Sequence, residues 1–222
     1  MSTKPSVGKH VVIEDNVTFG NNVVIGHNTV ILKGTRIGNN VEIGANCVIG
    51  IIPGGNNRMR QQALHSHSLL IGDHTKLGNM VSIYLNTSIA ENVFIGDHAS
   101  IRENVTIGKG TVIGRNAIVE LNTRIGENCT IQTLSYITGD TILEDDVFIG
   151  PCVSMANDKY MGAKDYVLKG PHLKKGVKIG NNATILPAVT IGTGTIVGGG
   201  SVVTKDIGEH LVVAGVPARE LR

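Results

Sequence analysis

Apolar residues recur at every sixth position along most of this chain. From Ile71 to Ser154 the sequence divides into fourteen consecutive hexads, among them IGDHTK, IRENVT, VELNTR and LEDDVF, each opening on Ile, Leu or Val. The fifth position is Thr, Val, Ala, Cys or Ser throughout. Gly, Asn and Asp crowd the second to fourth positions, and these residues tolerate the left-handed backbone that a sharp corner requires. The pattern therefore predicts one short strand and one turn per hexad, with the first and fifth side chains pointing inward. Three hexads close one triangular coil. Coils stacked at about 4.8 Å place parallel sheets on three faces of a prism.

Seven hexads run from Val7 to Val48, and four more begin at Ile179. Together they predict about eight coils and a prism roughly 40 Å tall. Two stretches break the pattern and are read as excursions from the prism. The first, residues 51–70, holds Pro53, Arg58, Arg60, His65 and His67; the second spans Met155 to Lys178. Residues 203–222 are too few for a second domain and are expected to cap the prism, so residues 1–222 form one domain. Long excursions in a compact repeat are often functional.

With 41% hydrophobic residues the chain can bury a substantial core, and 3% aromatics suits a narrow prism filled by Ile and Val. A net charge of +2 with no basic run argues against a nucleic-acid partner. Cys47, Cys129 and Cys152 have no CxxC spacing; the first two fall on the inward fifth position and read as core residues. MSTKPSVGKH offers no signal peptide or membrane span, so a cytosolic protein with no membrane partner is the expectation.

The second hexad position is usually Gly, which makes departures informative. Tyr84, Arg102, Glu120 and Thr138 depart from it at intervals of three hexads, one coil, so they stack on one corner. Two positions further lies the column Asn86, Asn104, Asn122, Asp140 and then Asp158, which leads into the second excursion. Such a stripe suits a polar cleft in which Arg102 meets a phosphate, Tyr84 stacks on a base or sugar, and Glu120 accepts a proton. It equally suits an amide ladder that ties turns together, with Arg102 and Glu120 as a surface ion pair.

The hexads together with VVTKDI and VVAGVPAR resemble the hexapeptide-repeat acyltransferases, which fold as left-handed parallel β-helices. More narrowly, LEDDVFIGPCVSMANDKYMG followed by VKIGNNATILPAVTIG resembles N-acetyltransferases of nucleotide-linked amino sugars, in which an Asn-Asp pair precedes a loop over the active site. Here that pair is Asn157 and Asp158. The family's Phe-Thr before the pair is Met155-Ala156 in this chain, and its following Pro-Arg is absent. The resemblance implies an all-β fold and a homotrimer with active sites between subunits. It implies acetyl-CoA as donor along the C-terminal coils, with Gly199 and Gly200 admitting the pantetheine arm. Thr204 and Lys205 would sit near the nucleotide end of CoA, and Arg219 is a weaker candidate for that task. The acceptor would be a UDP- or dTDP-linked amino-deoxy sugar destined for a surface polysaccharide, with Asn157 orienting it and Asp158 or Glu120 accepting a proton.

An O-acetyltransferase of a sugar or serine hydroxyl is the alternative, and it would need an activating histidine because a hydroxyl is a weaker nucleophile than an amine. His172, placed in the second excursion, is one candidate; His27, His74 and His98 sit on hexad turns. A zinc site of the carbonic-anhydrase type would draw on His65, His67 and His98 but lacks that family's His spacing. A non-catalytic structural prism is the remaining class, and the C-terminal signature speaks against it.

Overall fold

A computed structural model describes residues 4–60 and 68–221, and every regular element among them is a strand. The strands assemble into three parallel sheets of 12, 10 and 9 strands, which the chain visits in rotation. The molecule is thus the left-handed parallel β-helix expected. Partners on neighbouring coils stand three hexads apart in sequence, as in Ser100↔Ile118 and Phe94↔Val112.

The inward first positions are filled mostly by aliphatic residues such as Ile31, Ile83, Ile101 and Ile131, each with no exposed surface. Full burial of one such side chain contributes about 1.5–3 kcal/mol, and each coil repeats it three times. The smaller fifth residue also faces in: Cys47 and Cys129 are buried there, as expected. Thr at this site donates its hydroxyl to a neighbouring coil, as Thr111 does to Gly126 O at 2.9 Å. The fourth residue of the hexad takes the left-handed conformation, with φ near 57° from His10 to His210, usually at Asn. Gly at the second position has a packing cause. A Cβ on Gly108 would lie 2.5 Å from the carbonyl oxygen of Gly126 in the next coil.

The prism is taller than the hexad count implied. Eleven of the twelve strands of the first sheet are parallel, from Ser6–Val7 to Val212–Ala214, which makes about 50 Å at the strand spacing. The additional turns come from segments assigned to excursions and cap. Strands at His172–Leu173 and Lys178–Ile179 show that Leu173–Lys178 is an ordinary hexad, so the second excursion ends near Pro171 rather than at Lys178. The first excursion is likewise narrower, because strands reach Ile51 and resume at Leu69. Val212–Ala214 adds a further strand to the first sheet, and Arg219–Glu220 folds back antiparallel to cover it. The cap is therefore shorter than residues 203–222.

Partner spacing measures the two insertions against the regular step of three hexads. Glu42 pairs with Lys76, so the first excursion adds sixteen residues to a coil. Ile142 pairs with His172, so the second adds twelve. Twelve is two hexads, which keeps the six-residue phase intact across a segment that has left the prism.

Candidate functional site

Both excursions leave from the same edge, the corner between the second and third sheets. Its second hexad position reads Glu14, Leu32, Gly50, Tyr84, Arg102, Glu120, Thr138, Ala156, Leu186 and Thr204, whereas the other two corners are mostly glycine there. The predicted stripe of Tyr84, Arg102, Glu120 and Thr138 is real and lies between the bases of the two loops.

Arg102 dominates the stripe. Its Nε and one terminal nitrogen donate to the two oxygens of Glu103 at 2.8 and 3.0 Å, while its other terminal nitrogen reaches Glu120 at 3.4 Å. The guanidinium also stacks over the Tyr84 ring, 5.1 Å from its centroid. Hydrogen bonding to Glu103, against the opposing effect of burial, pushes the Arg102 pKa up. Glu103 itself is buried, at 2% exposure. Sequence reasoning missed this residue because third positions elsewhere face solvent. The available signal was Leu85, which occupies the same corner position one coil away and is also buried. With two carboxylates on one guanidinium, Arg102 is a poor phosphate ligand.

The amide column is a ladder. Asn86 donates to Asn104, Asn104 to Asn122 at 3.0 Å, and Asn122 to Asp140 at 3.0 Å. Asn122 is thus bonded within the ladder, at the edge of a groove it shares with Thr106 and Arg124. Arg60 from the first excursion closes the ladder's far end, with an N–O distance of 2.5 Å to Asp140. The excursion therefore runs as a strap over three coils of the stripe. Beneath it Pro53, Gly54, Gly55, Met59 and Arg60 face Arg102 and Glu103 across a cavity of about 280 Å³. His65 and His67 lie outside the described residues. Among those described, no three His, Cys, Asp or Glu side chains gather as metal ligands would.

At the second excursion, Asn157 donates from Nδ2 to Gly139 O at 3.3 Å, and its own backbone carbonyl accepts from Lys169 N at 3.0 Å. Gly139 favours this approach, since a Cβ there would crowd that Nδ2 at 3.3 Å. Asp158 does not continue the Asn column. It lies in the excursion, and its two oxygens accept the backbone amides of Tyr160 and Gly162, each at 2.8 Å. The chain leaves the prism after Met155, so the eighteen-residue step from Asp140 ends in a loop. Tyr160 packs edge-on to Tyr166 with Lys164 over its ring, which stiffens the loop.

Beyond the loop, Met161, Tyr166, Leu186, Pro187, Ala188 and Thr204 line a mainly apolar cavity of about 380 Å³, with Asp158 and Lys159 at its edge. Thr204 and Lys205 belong to the same corner as the stripe, whereas Gly199 and Gly200 form the preceding corner, across the strand Val202–Val203. The expected donor residues thus flank one strand of the second sheet. His172 is on a strand of the third sheet and not in the loop. Its Nε2 lies 2.9 Å from Glu144 Oε1. Burial opposes ionisation of Glu144, but bonds from Lys174, the Lys175 amide and His172 outweigh it and hold the carboxyl below its usual range.

The bacterial transferase hexapeptide model (six repeats) matches residues 16–50 and 170–205, and the GMPPB C-terminal domain model matches residues 59–166. Galactoside O-acetyltransferase of Escherichia coli K12 is 37% identical over 84 residues, covering 35% of this chain and 41% of that protein. Serine acetyltransferase of the same strain is 36% identical over 84 residues, 37% of this chain and 29% of that one. The chain thus spans less than half the length of these curated relatives. A hexapeptide-repeat acetyltransferase from Vibrio cholerae, solved with acetyl-CoA, is 27% identical with a TM-score of 0.48, over 54% of this chain and 70% of that one. An enzyme of Caulobacter crescentus solved with CoA and GDP-perosamine is 22% identical with a TM-score of 0.38, over 59% and 57%.

Proposed function

We propose that this chain is a hexapeptide-repeat acyltransferase that moves an acetyl group from acetyl-CoA to the amine of a nucleotide-linked amino-deoxy sugar, a reading supported by the match of its hexads to the bacterial transferase hexapeptide model. One observation carries this reading. A single corner of the prism holds a polar stripe, two excursions and an apolar cavity in sequence, so acceptor and thioester meet at the base of the second loop.

The cavity under Met161, Leu186 and Pro187 suits the pantetheine arm of CoA, with Lys159 and Lys205 as cations for its phosphates. CoA supplies the activated acyl carbonyl. The side-chain NH₂ of Asn157 is committed to Gly139, which leaves Oδ1 as an acceptor for an amine N–H. Asp158 shapes the loop through its two backbone bonds rather than serving as a base. Glu120 is two coils from Ala156, about 10 Å at the strand spacing, so it lines the acceptor's path and does not take the amine proton. The neutral amine attacks the thioester carbonyl, and the tetrahedral oxyanion collapses to the amide. CoA leaves as thiolate and takes the ammonium proton. Positioning supplies much of the rate, since a bound amine is already a competent nucleophile.

The reading includes a homotrimer with active sites between subunits and a cytoplasmic location. The exposed Phe94 and Val112 of the first sheet give such an assembly an apolar face. No helix among the described residues is long and apolar enough to cross a membrane. O-acetylation is the second reading, favoured by the His172–Glu144 pair, in which a carboxylate orients an imidazole as an activating base would need.

The test is thiol release from acetyl-CoA with UDP-, dTDP- and GDP-linked 3- and 4-amino sugars and their hydroxyl analogues. Release with one amine and not its hydroxyl counterpart is expected, and Asn157→Ala should lower kcat/KM roughly tenfold or more. Release with hydroxyls alone, abolished by His172→Ala, would replace N-acylation by O-acylation.

A further inference from the structure

The first excursion matches no part of the resemblance, yet it crosses the stripe and is anchored on its far side. The strap leaves the prism beside Tyr84, where Leu85 N donates to Ile51 O at 2.8 Å. It passes over Arg102 and Glu103 and reaches Asp140 through Arg60. Successive corners at Arg102, Glu120, Thr138 and Ala156 put the chamber three coils from the base of the second loop, about 14 Å at the strand spacing. Arg60, held at Asp140, lies between the two. A diphosphate linking a sugar at Asn157 to a nucleoside spans a distance of this order.

We propose that the strap of residues 53–60 is a nucleoside-diphosphate clamp: its chamber takes the nucleoside of the acceptor, and Arg60 meets the diphosphate. This rests on the acceptor being nucleotide-linked.

The chamber has the chemistry for a nucleoside. At about 280 Å³ it is at the small end for ligand sites, sized for one ring system rather than a whole nucleotide sugar. Pro53 and Met59 offer apolar faces to a base. Glu103 borders the chamber and is only 2% exposed. Each of its oxygens carries two lone pairs, so a ribose diol can donate to it alongside Arg102, as diols do to carboxylates in dinucleotide sites. Arg102 is neutralised by Glu103 and Glu120 and so does not serve the phosphates. Arg60 is held by Asp140, and a diphosphate, with more charge and paired oxygens, competes for the same guanidinium.

The experiment is calorimetric titration of UDP, dTDP and GDP into the full chain with CoA saturating, so that the donor site is filled. One nucleoside diphosphate should bind, with affinity that falls as salt rises. Arg60→Ala, on the exposed strap, should weaken it about tenfold or more, and Glu103→Gln should weaken it while circular dichroism shows an intact fold. Asn157→Ala should bind it as the wild type does. Wild-type affinity in Arg60→Ala overturns the clamp. So does the absence of nucleoside-diphosphate binding while nucleotide-free amino sugars are acetylated, an outcome that leaves N-acylation standing. Binding that depends on Arg60 in a protein that acylates no amine keeps the clamp and removes the proposed reaction.

Discussion

Replacing Arg102 by Ala isolates the best-defined electrostatic feature of this prism. Glu103 has 3% side-chain exposure and accepts two hydrogen bonds from Arg102. Arg102→Ala leaves that carboxylate buried without its counter-ion. Breaking a buried pair by removing one partner costs about 3–5 kcal/mol. The Arg102 side chain keeps 20% exposure, so water relieves part of the loss and the lower end, about 3 kcal/mol, is expected. For a chain of this length that corresponds to a fall of about 6–12 °C in Tm, read by circular dichroism at fixed protein concentration and neutral pH. A double variant, Arg102→Met with Glu103→Leu, removes both charges and fills the site as Leu85 does one coil away. It should recover most of the loss, because well-packed apolar side chains commonly replace a buried ion pair at little cost. A melting point for Arg102→Ala within a degree of wild type would refute the assignment of Glu103 as a buried, paired anion. A double variant less stable than Arg102→Ala would show that the charge pair is not the source of the loss.

Gly108→Ala should cost at least about 2 kcal/mol, because the added Cβ would meet backbone oxygen at 2.5 Å. Gly200→Ala should cost about 1 kcal/mol, since its φ of +68° is unfavourable but nothing lies within 4 Å; equal losses in thermal melts would contradict the packing account. In a thiol titration at pH 8, Cys152 should react in the native protein, being exposed, and Cys47 and Cys129 only after denaturation. Burial pushes the Cys129 thiol up to about 11. The unfolded chain therefore loses this proton first, and stability should decline as pH rises from about 9 towards 11. A denaturation midpoint flat over that range in wild type, or one that declines equally in Cys129→Ala, would refute this linkage.

The six-residue period by itself determined a triangular coil of stacked parallel strands, while the left-handed sense of the helix came from the family resemblance. Aliphatic first positions and small fifth positions leave a narrow interior as the only place to bury them, and Asn, Gly or Asp at the fourth position supplies the left-handed corner that a triangular coil needs. The missing glycines at 84, 102, 120 and 138 likewise marked in advance the corner from which both excursions leave, whereas at the other two corners most second positions are glycines whose Cβ would meet the backbone of the next coil. What the period could not carry was anything depending on residues outside it. Asp158 stands eighteen residues after Asp140 and so read as the next rung of a ladder, but the chain has left the prism after Met155 and Asp158 caps a loop turn. Arg60 and Asp140 are eighty residues apart and meet only because a strap folds back over three coils. Glu103 is buried where the strap crosses the corner and Arg102 bonds both of its oxygens, contacts that no local preference encodes. Tertiary structure thus decided which charges are neutralised: Arg102 is held by two carboxylates, and Arg60 on the strap by Asp140.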